Sequence, residues 1–410
     1  MNAIIKYTYK NMTKYLRILL PYISLSLYSS FELYNYKLTN LLKKEMNIDF
    51  PLKTSNKENI LILTSHLYVG GVENLLDLLI KNFQQFNFVV VVDTFADQSA
   101  LSFYKWKYLY VLNRSIKDSY KIRFIKKLID YYHFNKIIIT NSLFAYIYLP
   151  LLKRERICVF DILHVKEKNN FFLYFSKKYD ALIHKHITVS QSLRDYMIRR
   201  LKLKQEKIFS ISNAVDYIDK FNPNKLRRIN NKSKFVISFF GRLYYDKNPM
   251  KFLNLAFKLL EKNRHFYFNI VGDGSLKAKM IRKIQSKQLR DFFHFFGIVH
   301  NPQEIIVNSD LVVITSRHEG LPFAALESIS LGTPVITPVL GSLDELILQG
   351  INGYLLVSSS LNSYIDVIMS VYNKRIVFER KIVRESLPEK FRTHYMLNKY
   401  RMLLSENEQN

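Results

Sequence analysis

The segment Glu319-Gly-Leu-Pro-Phe-Ala-Ala-Leu-Glu327 sets two carboxylates eight positions apart around a glycine and a proline. It directly follows the apolar run Leu311–Thr315, which is typical of a buried strand. Gly320 lets backbone approach a ligand closely, and Pro322 suits the first turn of a helix whose N-terminus attracts phosphate. The segment therefore predicts an anion-binding loop between a strand and a helix. Two glutamates at this spacing also occur by chance on solvated surfaces, so the surrounding sequence must distinguish a binding loop from surface residues.

Glycine-containing turns recur on both sides of this segment, at the ends or starts of apolar runs. In parallel α/β sheets such turns lie at the carboxyl ends of strands, where ligands bind. A single turn of this kind is ordinary loop chemistry, and their ordered series is the informative feature. In chain order the turns are Phe239-Phe-Gly241-Arg242 with Lys247-Asn248, Val271-Gly272-Asp273-Gly274, Gly332-Thr-Pro334-Val-Ile, Gly341-Ser-Leu-Asp-Glu345 and Asn352-Gly353.

Two basic residues stand in the first of these turns. Gly241 admits a diphosphate close to the backbone, while the guanidinium of Arg242 and the ammonium of Lys247 offset its negative charge. Such a pair can take the place of a metal ion. The alternative is a surface pair in a chain that contains 61 Lys and Arg residues.

The first half of the chain contains a glycine pair and a notable histidine. Thr64-Ser-His66-Leu-Tyr-Val-Gly70-Gly71-Val-Glu73 follows an apolar run and precedes a helical pattern. Backbone amides at Gly70 and Gly71 can therefore face a phosphate, the alternative being a tight strand-to-helix turn. His164 follows the apolar run Val159–Leu163 and is either a ligand-binding group or a structural histidine.

The region Asn308 to Leu356 resembles the retaining family-4 glycosyltransferases of GT-B fold, the glycosyl transferases group 1. Their pattern runs S-x-x-E-G-x-P-x-x-x-x-E, then G-x-P-V, a Gly-led turn to Glu, and N-G. The earlier turns are similar to the family's G-R-x-x-x-x-K-N, V-G-x-G and G-G-x-E elements, so the resemblance covers about Asn59 to Leu404. Ala214 departs from the family's N-G-V-D element. The matching positions in the first region are Ser316, Glu319, Gly320, Pro322, Glu327, Gly332, Pro334, Glu345, Asn352 and Gly353.

The resemblance implies transfer of a sugar, with retention of anomeric configuration, from a UDP- or GDP-linked donor to a glycan or lipid-linked acceptor. It points to bacterial cell-surface polysaccharide or lipopolysaccharide synthesis, with no metal and no cofactor besides the nucleotide-sugar substrate. Glu327 would accept hydrogen bonds from the ribose diol, and Glu319 would face the sugar. A sugar-nucleotide epimerase or a phosphorylase of the same fold is the alternative enzyme, which the ordered turns disfavour. The implied catalytic residues are Arg242, Lys247, Glu319 and His164, and the implied donor-binding residues are Gly70, Gly71, Gly241, Gly272, Gly274, Gly320, Leu321, Pro322 and Glu327.

Short β-branched or aromatic runs alternate with amphipathic stretches, which predicts an α/β fold of two doubly wound, Rossmann-like domains facing across a cleft. A polar segment around Pro223 marks the linker. The predicted parts are a basic helical extension (1–55), an acceptor domain (56–218), a nucleotide-sugar domain (219–388) and a C-terminal helix that crosses back (389–410). The predicted strands are Ile60–Leu63, Phe88–Val92, Tyr108–Leu112, Lys136–Thr140, Ile157–Ile162, Ile187–Val189, Phe235–Phe240, Tyr267–Val271, Phe293–Phe296, Leu311–Thr315, Pro334–Thr337 and Tyr354–Leu356.

The chain has a large excess of positive charge, with 61 Lys and Arg against 34 Asp and Glu for a net charge of +27. An anionic membrane, a phosphorylated substrate or nucleic acid would match it, and a Lys-rich composition is the plain alternative. Four basic residues before the uncharged stretch Ile18–Phe31 and the basic helix Ile116–Leu128 favour a membrane surface. The basic residues expected on the surface of this helix are Lys117, Lys121, Arg123, Lys126 and Lys127. A nucleic-acid-binding protein is the rival class, but no reader motif is present. Cys158 is the single cysteine, so an intrachain disulfide is excluded and we expect a cytoplasmic protein. Together with the basic segments, this predicts a peripheral position on the inner face of the cytoplasmic membrane.

Overall fold

The computed structural model describes residues 57–112, 114–152, 157–165, 171–216, 234–299 and 301–405. The predicted extension over residues 1–55 lies outside these ranges, as do the predicted domain boundary at 218–219 and the last residues, 406–410. Within the described ranges, every helix is too short or too polar to cross a membrane.

The first domain is built on a seven-stranded sheet in the order β3-β2-β1-β4-β5-β6-β7, and its neighbouring strands are parallel. Apolar runs predicted all of them except β7, which is too short to display a periodic pattern. The strands are β1 (Glu58–Leu67), β2 (Phe86–Ala96), β3 (Tyr108–Val111), β4 (Lys136–Thr140), β5 (Cys158–Leu163), β6 (Lys185–Thr188) and β7 (Ile208–Ser210).

The second domain repeats this plan with a six-stranded parallel sheet in the order β10-β9-β8-β11-β12-β13. Each strand lies where an apolar run predicted one. The strands are β8 (Phe235–Phe240), β9 (Phe266–Val271), β10 (Phe293–Gly297), β11 (Leu311–Val313), β12 (Val335–Pro338) and β13 (Gly353–Leu356).

Helices cover both faces of the first sheet. Ile60 and Ile62 of β1 pack in the same apolar cluster as Leu75, whereas the alternate residue Leu61 packs with Phe124. Because successive side chains of a strand point to opposite faces, this division places the helix Gly71–Asn82 and the helix Asp118–Tyr132 on opposite sides. The α-helices are α1 (Gly71–Asn82), α2 (Gln98–Phe103), α3 (Asp118–Tyr132), α4 (Leu143–Tyr148), α5 (Phe171–Lys178), α6 (Gln191–Arg199), α7 (Pro249–Lys262), α8 (Lys277–Ser286), α9 (Gln303–Val307), α10 (Phe323–Ser330), α11 (Leu343–Leu346), α12 (Leu361–Tyr372), α13 (Arg380–Glu385) and α14 (Thr393–Ser405).

The C-terminal helix α14 packs against the first domain. The backbone N–H of Val215 donates to the carbonyl of Phe391 at 3.0 Å, which brings the end of the chain beside the first sheet. Met396 and Tyr400 of α14 are then buried in the apolar cluster that also contains Phe83 of the first domain. The last helix is therefore part of the core of the first domain.

The strand order reverses once in each sheet, between β1 and β4 and between β8 and β11. Open α/β sheets bind ligands beyond the carboxyl ends of the strands at such points. Loops from these two positions line a common cleft, so the two sheets present their binding edges to each other. The predicted α/β class, with two doubly wound domains that face each other across a cleft, is confirmed.

Candidate active site

A cleft of about 880 Å³ lies between the two domains, at the carboxyl ends of the central strands. The loops after β1, β4 and β5 form one wall, and those after β8, β9 and β11 form the other. The fold brings the whole predicted set of catalytic and donor-binding residues into this cleft. These lining residues are Arg242, Lys247, Glu319, His164, Gly70, Gly71, Gly241, Gly272, Gly274, Gly320, Leu321, Pro322 and Glu327.

Lys247 and Glu319 form an ion pair on the wall of the second domain. Lys247 Nζ donates to the two carboxylate oxygens of Glu319 at 2.7 and 2.8 Å, and Ser316 Oγ donates to Oε1 at 2.6 Å. Only 8% of the Glu319 side chain and 22% of that of Lys247 are exposed. The carboxylate is therefore fixed in direction, and its charge is offset by a partner that is itself shielded from water. The sequence predicted separate roles for these side chains and did not predict their contact.

Arg242 belongs to the same loop as Lys247, the loop after β8, and its side chain faces the first domain. Its guanidinium donates to Asp246 Oδ2 at 3.0 Å. Its Cζ lies 5.6 Å from the ring centroid of Tyr68 and 5.9 Å from that of Tyr244. Because the Arg242 side chain is 42% exposed, N–H groups remain accessible from the cleft for an anion.

Gly241 and Gly272 bring two loops of the second domain into backbone contact at the base of the cleft. Gly241 N donates to the carbonyl of Val271 at 3.0 Å. A Cβ on Gly272 would lie 2.0 Å from the carbonyl oxygen of Gly241, and φ at Gly272 is +129°. Only glycine fits such a position. The loops are thus packed down against each other, which leaves room above them for a ligand.

The loop from Glu319 to Pro322 touches the first domain directly. A Cβ on Gly320 would lie 1.7 Å from the carbonyl oxygen of His164. Asn213 Nδ2 donates to the carbonyl of Leu321 at 2.9 Å. Gly320 therefore permits close contact between the domains, while its predicted contact with a donor stays a prediction. Pro322 directly precedes α10 rather than lying within its first turn.

His164 is buried at the wall of the first domain. Its Nε2 lies 2.8 Å from Thr140 Oγ1 at the end of β4. Burial lowers the pKa of His164 to about 4, so the ring is neutral at physiological pH. A neutral imidazole at this point can hydrogen-bond a hydroxyl or keep Thr140 in place, and both interpretations made from the sequence stay open.

Two carboxyl groups with raised pKa values line the cleft, one from each domain. Burial raises the pKa of Glu327, on α10, to about 7. Burial also raises the pKa of Glu73, in the first turn of α1, to about 7. Glu73 Oε1 accepts a hydrogen bond from Tyr68 N at 3.0 Å, so this carboxyl group stabilises the loop between β1 and α1. Glu327 lies on the opposite wall, where it can meet a ligand.

Several residues of the site were not among the predicted functional residues. Asn213 and Ser316 hold the loop around Glu319, and His66 and Tyr68 face Arg242 from the first domain. Ser316 and Asn213 belong to matched family elements, and that signal could have identified them. Nothing in the local sequence identifies His66 or Tyr68, because Arg242 reaches them only through the fold.

Outside the cleft, a buried network has the spacing of a Ser-His-Asp triad. Ser176 Oγ lies 3.0 Å from His186 Nδ1, and His186 Nε2 lies 2.9 Å from Asp180 Oδ1. Ser176 and His186 have no exposed surface, so a substrate cannot reach them and the network is structural. Within the described ranges, His, Cys, Asp and Glu side chains form no group of three that could hold a metal ion.

The family described as glycosyl transferases group 1 matches residues 222–387. Over 195 residues the chain is 29% identical to the UDP-Gal:alpha-D-GlcNAc-diphosphoundecaprenol alpha-1,3-galactosyltransferase of Escherichia coli, covering 45% of this chain and 50% of that protein. Over 204 residues it is 27% identical to the poly(ribitol-phosphate) alpha-N-acetylglucosaminyltransferase of Staphylococcus aureus strain COL, covering 48% of this chain and 39% of that protein. The chain thus spans half or less of the length of these curated relatives.

Solved glycosyltransferase structures have the same two-domain architecture. The Anabaena protein HepE in complex with UDP and glucose superposes with a TM-score of 0.71 at 18% identity, covering 85% of this chain and 99% of HepE. The likeness to HepE shows a common fold, whereas the family match covers only the second domain. The second domain of this chain is therefore similar to the glycosyl transferases group 1 family, and the two domains together form the GT-B fold.

Proposed function

We propose that the protein transfers a sugar from a nucleotide diphosphate donor to a glycan or lipid-linked acceptor, with retention of anomeric configuration. The observation that carries this proposal is the cleft itself. Its second-domain wall places Arg242, Lys247 and the N-terminus of α10 around one space, and the first domain closes that space from the other side. Such an arrangement suits two substrates that bind on opposite walls.

The leaving diphosphate determines what the second-domain wall must do. As the bond between the anomeric carbon and the phosphate oxygen breaks, negative charge grows on the diphosphate. Arg242, Lys247 and the backbone N–H groups at the start of α10 offset this charge, a role that a metal ion fills in other enzymes. The acceptor oxygen forms the new bond on the face that the phosphate leaves, and the acceptor proton passes to the leaving phosphate oxygen.

Glu319 has a binding role in this scheme. Its carboxylate is engaged by Lys247 and Ser316, which makes it a weak nucleophile and a well-oriented acceptor for sugar hydroxyl groups. The reaction proposed here needs no protein nucleophile. Positioning of the two substrates and stabilisation of charge supply the rate enhancement.

The donor nucleotide is proposed to be UDP. The relative in Escherichia coli is named for a UDP-galactose donor, and the Anabaena structure holds UDP and glucose. In this chain Glu327 would accept hydrogen bonds from the ribose diol. Since its pKa is raised to about 7, donor binding would draw it into the ionised form.

We expect UDP at 100 times its dissociation constant to stabilise the wild-type chain at pH 8 by about 2.7 kcal/mol in a thermal-shift measurement. At pH 6 the protonated Glu327 must first lose its proton, which weakens UDP binding roughly tenfold and leaves about 1.4 kcal/mol of stabilisation. UDP-sugars, GDP, ADP and CMP would be measured beside UDP to identify the donor class.

The matched control is Glu327→Gln, which keeps the size of the side chain and cannot titrate. Its affinity for UDP should be weak at both pH values and should change much less between pH 8 and pH 6 than that of the wild type. Any remaining change would come from other groups, such as Glu73 or the terminal phosphate of UDP. Stabilisation by no nucleotide would contradict the proposed function. A pH dependence in Glu327→Gln as large as that of the wild type would contradict only the role of Glu327.

The acceptor is proposed to be presented at an anionic membrane on the cytoplasmic side, in cell-surface polysaccharide or lipopolysaccharide synthesis. The two relatives are named for a diphosphoundecaprenol and a poly(ribitol-phosphate) acceptor, both of which carry phosphate. Lys126 and Lys127 of α3 are exposed on the first domain. Lys121 was expected on the same basic surface, but it is buried and donates to the carbonyl of Asp93.

We expect the chain to sediment with vesicles of phosphatidylcholine and phosphatidylglycerol at low salt, and much less at about 1 M salt, where the screening length is about 3 Å. Reversing the charge of Lys126 and Lys127 to glutamate should weaken this binding by about tenfold or more, since each basic residue near the surface contributes about 1 kcal/mol. The control reverses Arg282 and Lys283, an exposed basic pair on α8 of the second domain. Equal losses in the two variants would contradict a docking surface on α3.

A further inference from the structure

The guanidinium of Arg242 is positioned by side chains from both domains. Asp246 and Tyr244 belong to its own loop and travel with it whenever the domains move. Tyr68 belongs to the first domain, and its ring centroid lies 5.6 Å from Arg242 Cζ. Of these contacts, only the one with Tyr68 depends on how close the two domains are.

Tyr68 is itself held in place by contacts of its backbone and of its ring. It directly follows β1, and its backbone N–H donates to the buried carboxyl group of Glu73 at 3.0 Å. Its ring lies 5.7 Å from the ring of His66, which is nearly parallel to it, and 5.7 Å from the ring of Phe95. A ring that is held on several sides offers a fixed π-face to a cation, with little loss of side-chain entropy on contact.

The ion pair with Asp246 pulls Arg242 toward its own loop. The side chains of this pair are 42% and 40% exposed, so it contributes little stability and does not fix the guanidinium. In this structure Arg242 makes the contacts with Asp246 and Tyr68 at the same time. Without Tyr68, the contacts with Asp246 and Tyr244 would remain, and both lie within its own loop. Tyr68 is thus placed to hold the guanidinium at the side of the cleft that faces the first domain.

We propose that Tyr68 is a positioning residue that directs the guanidinium of Arg242 toward the diphosphate when the domains are closed, and that domain closure and diphosphate binding are coupled through this contact. The inference rests on the proposed function. It adds to that function a residue of the acceptor domain that acts on the donor through Arg242. The aromatic face, and not the phenolic hydroxyl group, carries the effect.

The test is the dissociation constant of UDP, measured by calorimetry on the full chain. Tyr68→Leu should weaken UDP binding by about tenfold, which corresponds to losing a contact of about 1.4 kcal/mol. Tyr68→Phe keeps the ring and should bind UDP as the wild type does. Tyr245→Leu is the matched control. Tyr245 belongs to the same loop as Arg242, stacks on Arg317 of the loop after β11 and does not line the cleft, so its replacement should leave UDP binding unchanged.

A double-mutant comparison separates this role from others. In the Arg242→Ala background, Tyr68→Leu should change the affinity for UDP by less than about twofold, because nothing is left for Tyr68 to position. A full tenfold loss in that background would overturn the inference and indicate that Tyr68 contacts the ligand itself, as would a loss on Tyr68→Phe. If the wild-type chain binds no nucleoside diphosphate, the proposed function fails together with the inference. If the chain does bind UDP and the losses of affinity from Tyr68→Leu and Arg242→Ala simply add, the inference is overturned while the proposed function stands.

Discussion

Arg242→Ala is expected to lower the turnover of sugar transfer by about 10²- to 10³-fold, the loss typical when a preorganised charge-stabilising group is removed. The reason is that the guanidinium meets charge that develops as the diphosphate leaves, so the transition state loses more than the bound donor does. The measurement is the steady-state release of nucleoside diphosphate from the donor at saturating substrate. The KM for the donor should rise much less than the turnover falls.

Arg264→Ala provides the matched control for this substitution. Arg264 is exposed just before β9, at the amino end of the sheet and away from the cleft, and its loss should leave turnover unchanged. Lys247→Ala is a less direct test, because it would leave Glu319 largely buried without its cationic partner and would lower stability as well. An Arg242→Ala variant that keeps wild-type turnover would contradict the assignment of this site.

Gly320→Ala is expected to lower turnover by at least about 100-fold, because a misplacement of about 1 Å at a reacting centre already costs that much. The added methyl group would lie 1.7 Å from the backbone carbonyl oxygen of His164, in the other domain. Backbone atoms cannot yield as the end of a flexible side chain does, so either the loop carrying Glu319 shifts or the cleft opens. The measurement combines turnover with the thermal unfolding midpoint.

Gly350→Ala is the control that isolates the steric effect. Gly350 has a positive φ of +76°, which Gly320 does not have, and a Cβ at Gly350 would meet no atom within 4 Å. Its replacement should cost about 1 to 2 kcal/mol of stability through backbone strain alone and leave turnover intact. If Gly320→Ala lowered stability by a similar amount and kept full turnover, close contact of the domains at His164 would not be required for activity.

Most of the secondary structure could be predicted from local pattern. Runs such as Phe88–Val92 and Lys136–Thr140 are apolar because parallel strands are buried on both faces, and each run became a strand. The short strand Ile208–Ser210 carries too few residues for such a signal. Its place at the edge of the sheet is decided by parallel pairing with β6, a long-range contact.

Which of the candidate residues line the cleft could be predicted to a similar extent and for a similar reason, while their roles stay predictions. Arg242, Lys247 and Glu319 occur in turns whose residue types and order are distinctive, and all of them line the cleft. Lys121 was misinterpreted as a surface residue because it stands in a cluster of basic residues, whereas the fold points its stem into the core and gives its ammonium the carbonyl of Asp93. Charge alone does not reveal which face of a helix a lysine occupies.

The sequence by itself determined the parallel α/β class, the positions of the loops that carry the chemistry, and the resemblance to a known family. These properties depend on the period of the apolar residues and on glycine, proline and charged residues at short spacings. Such features act on the conformation of the local backbone, so they can be recognised without the fold. Only the tertiary structure decided that Lys247 pairs with Glu319, that Gly320 abuts His164 and that Tyr68 lies against Arg242. Each of these contacts joins residues more than 70 positions apart. The first forms when two loops of the second domain come together, and the other two form only when the domains meet across the cleft.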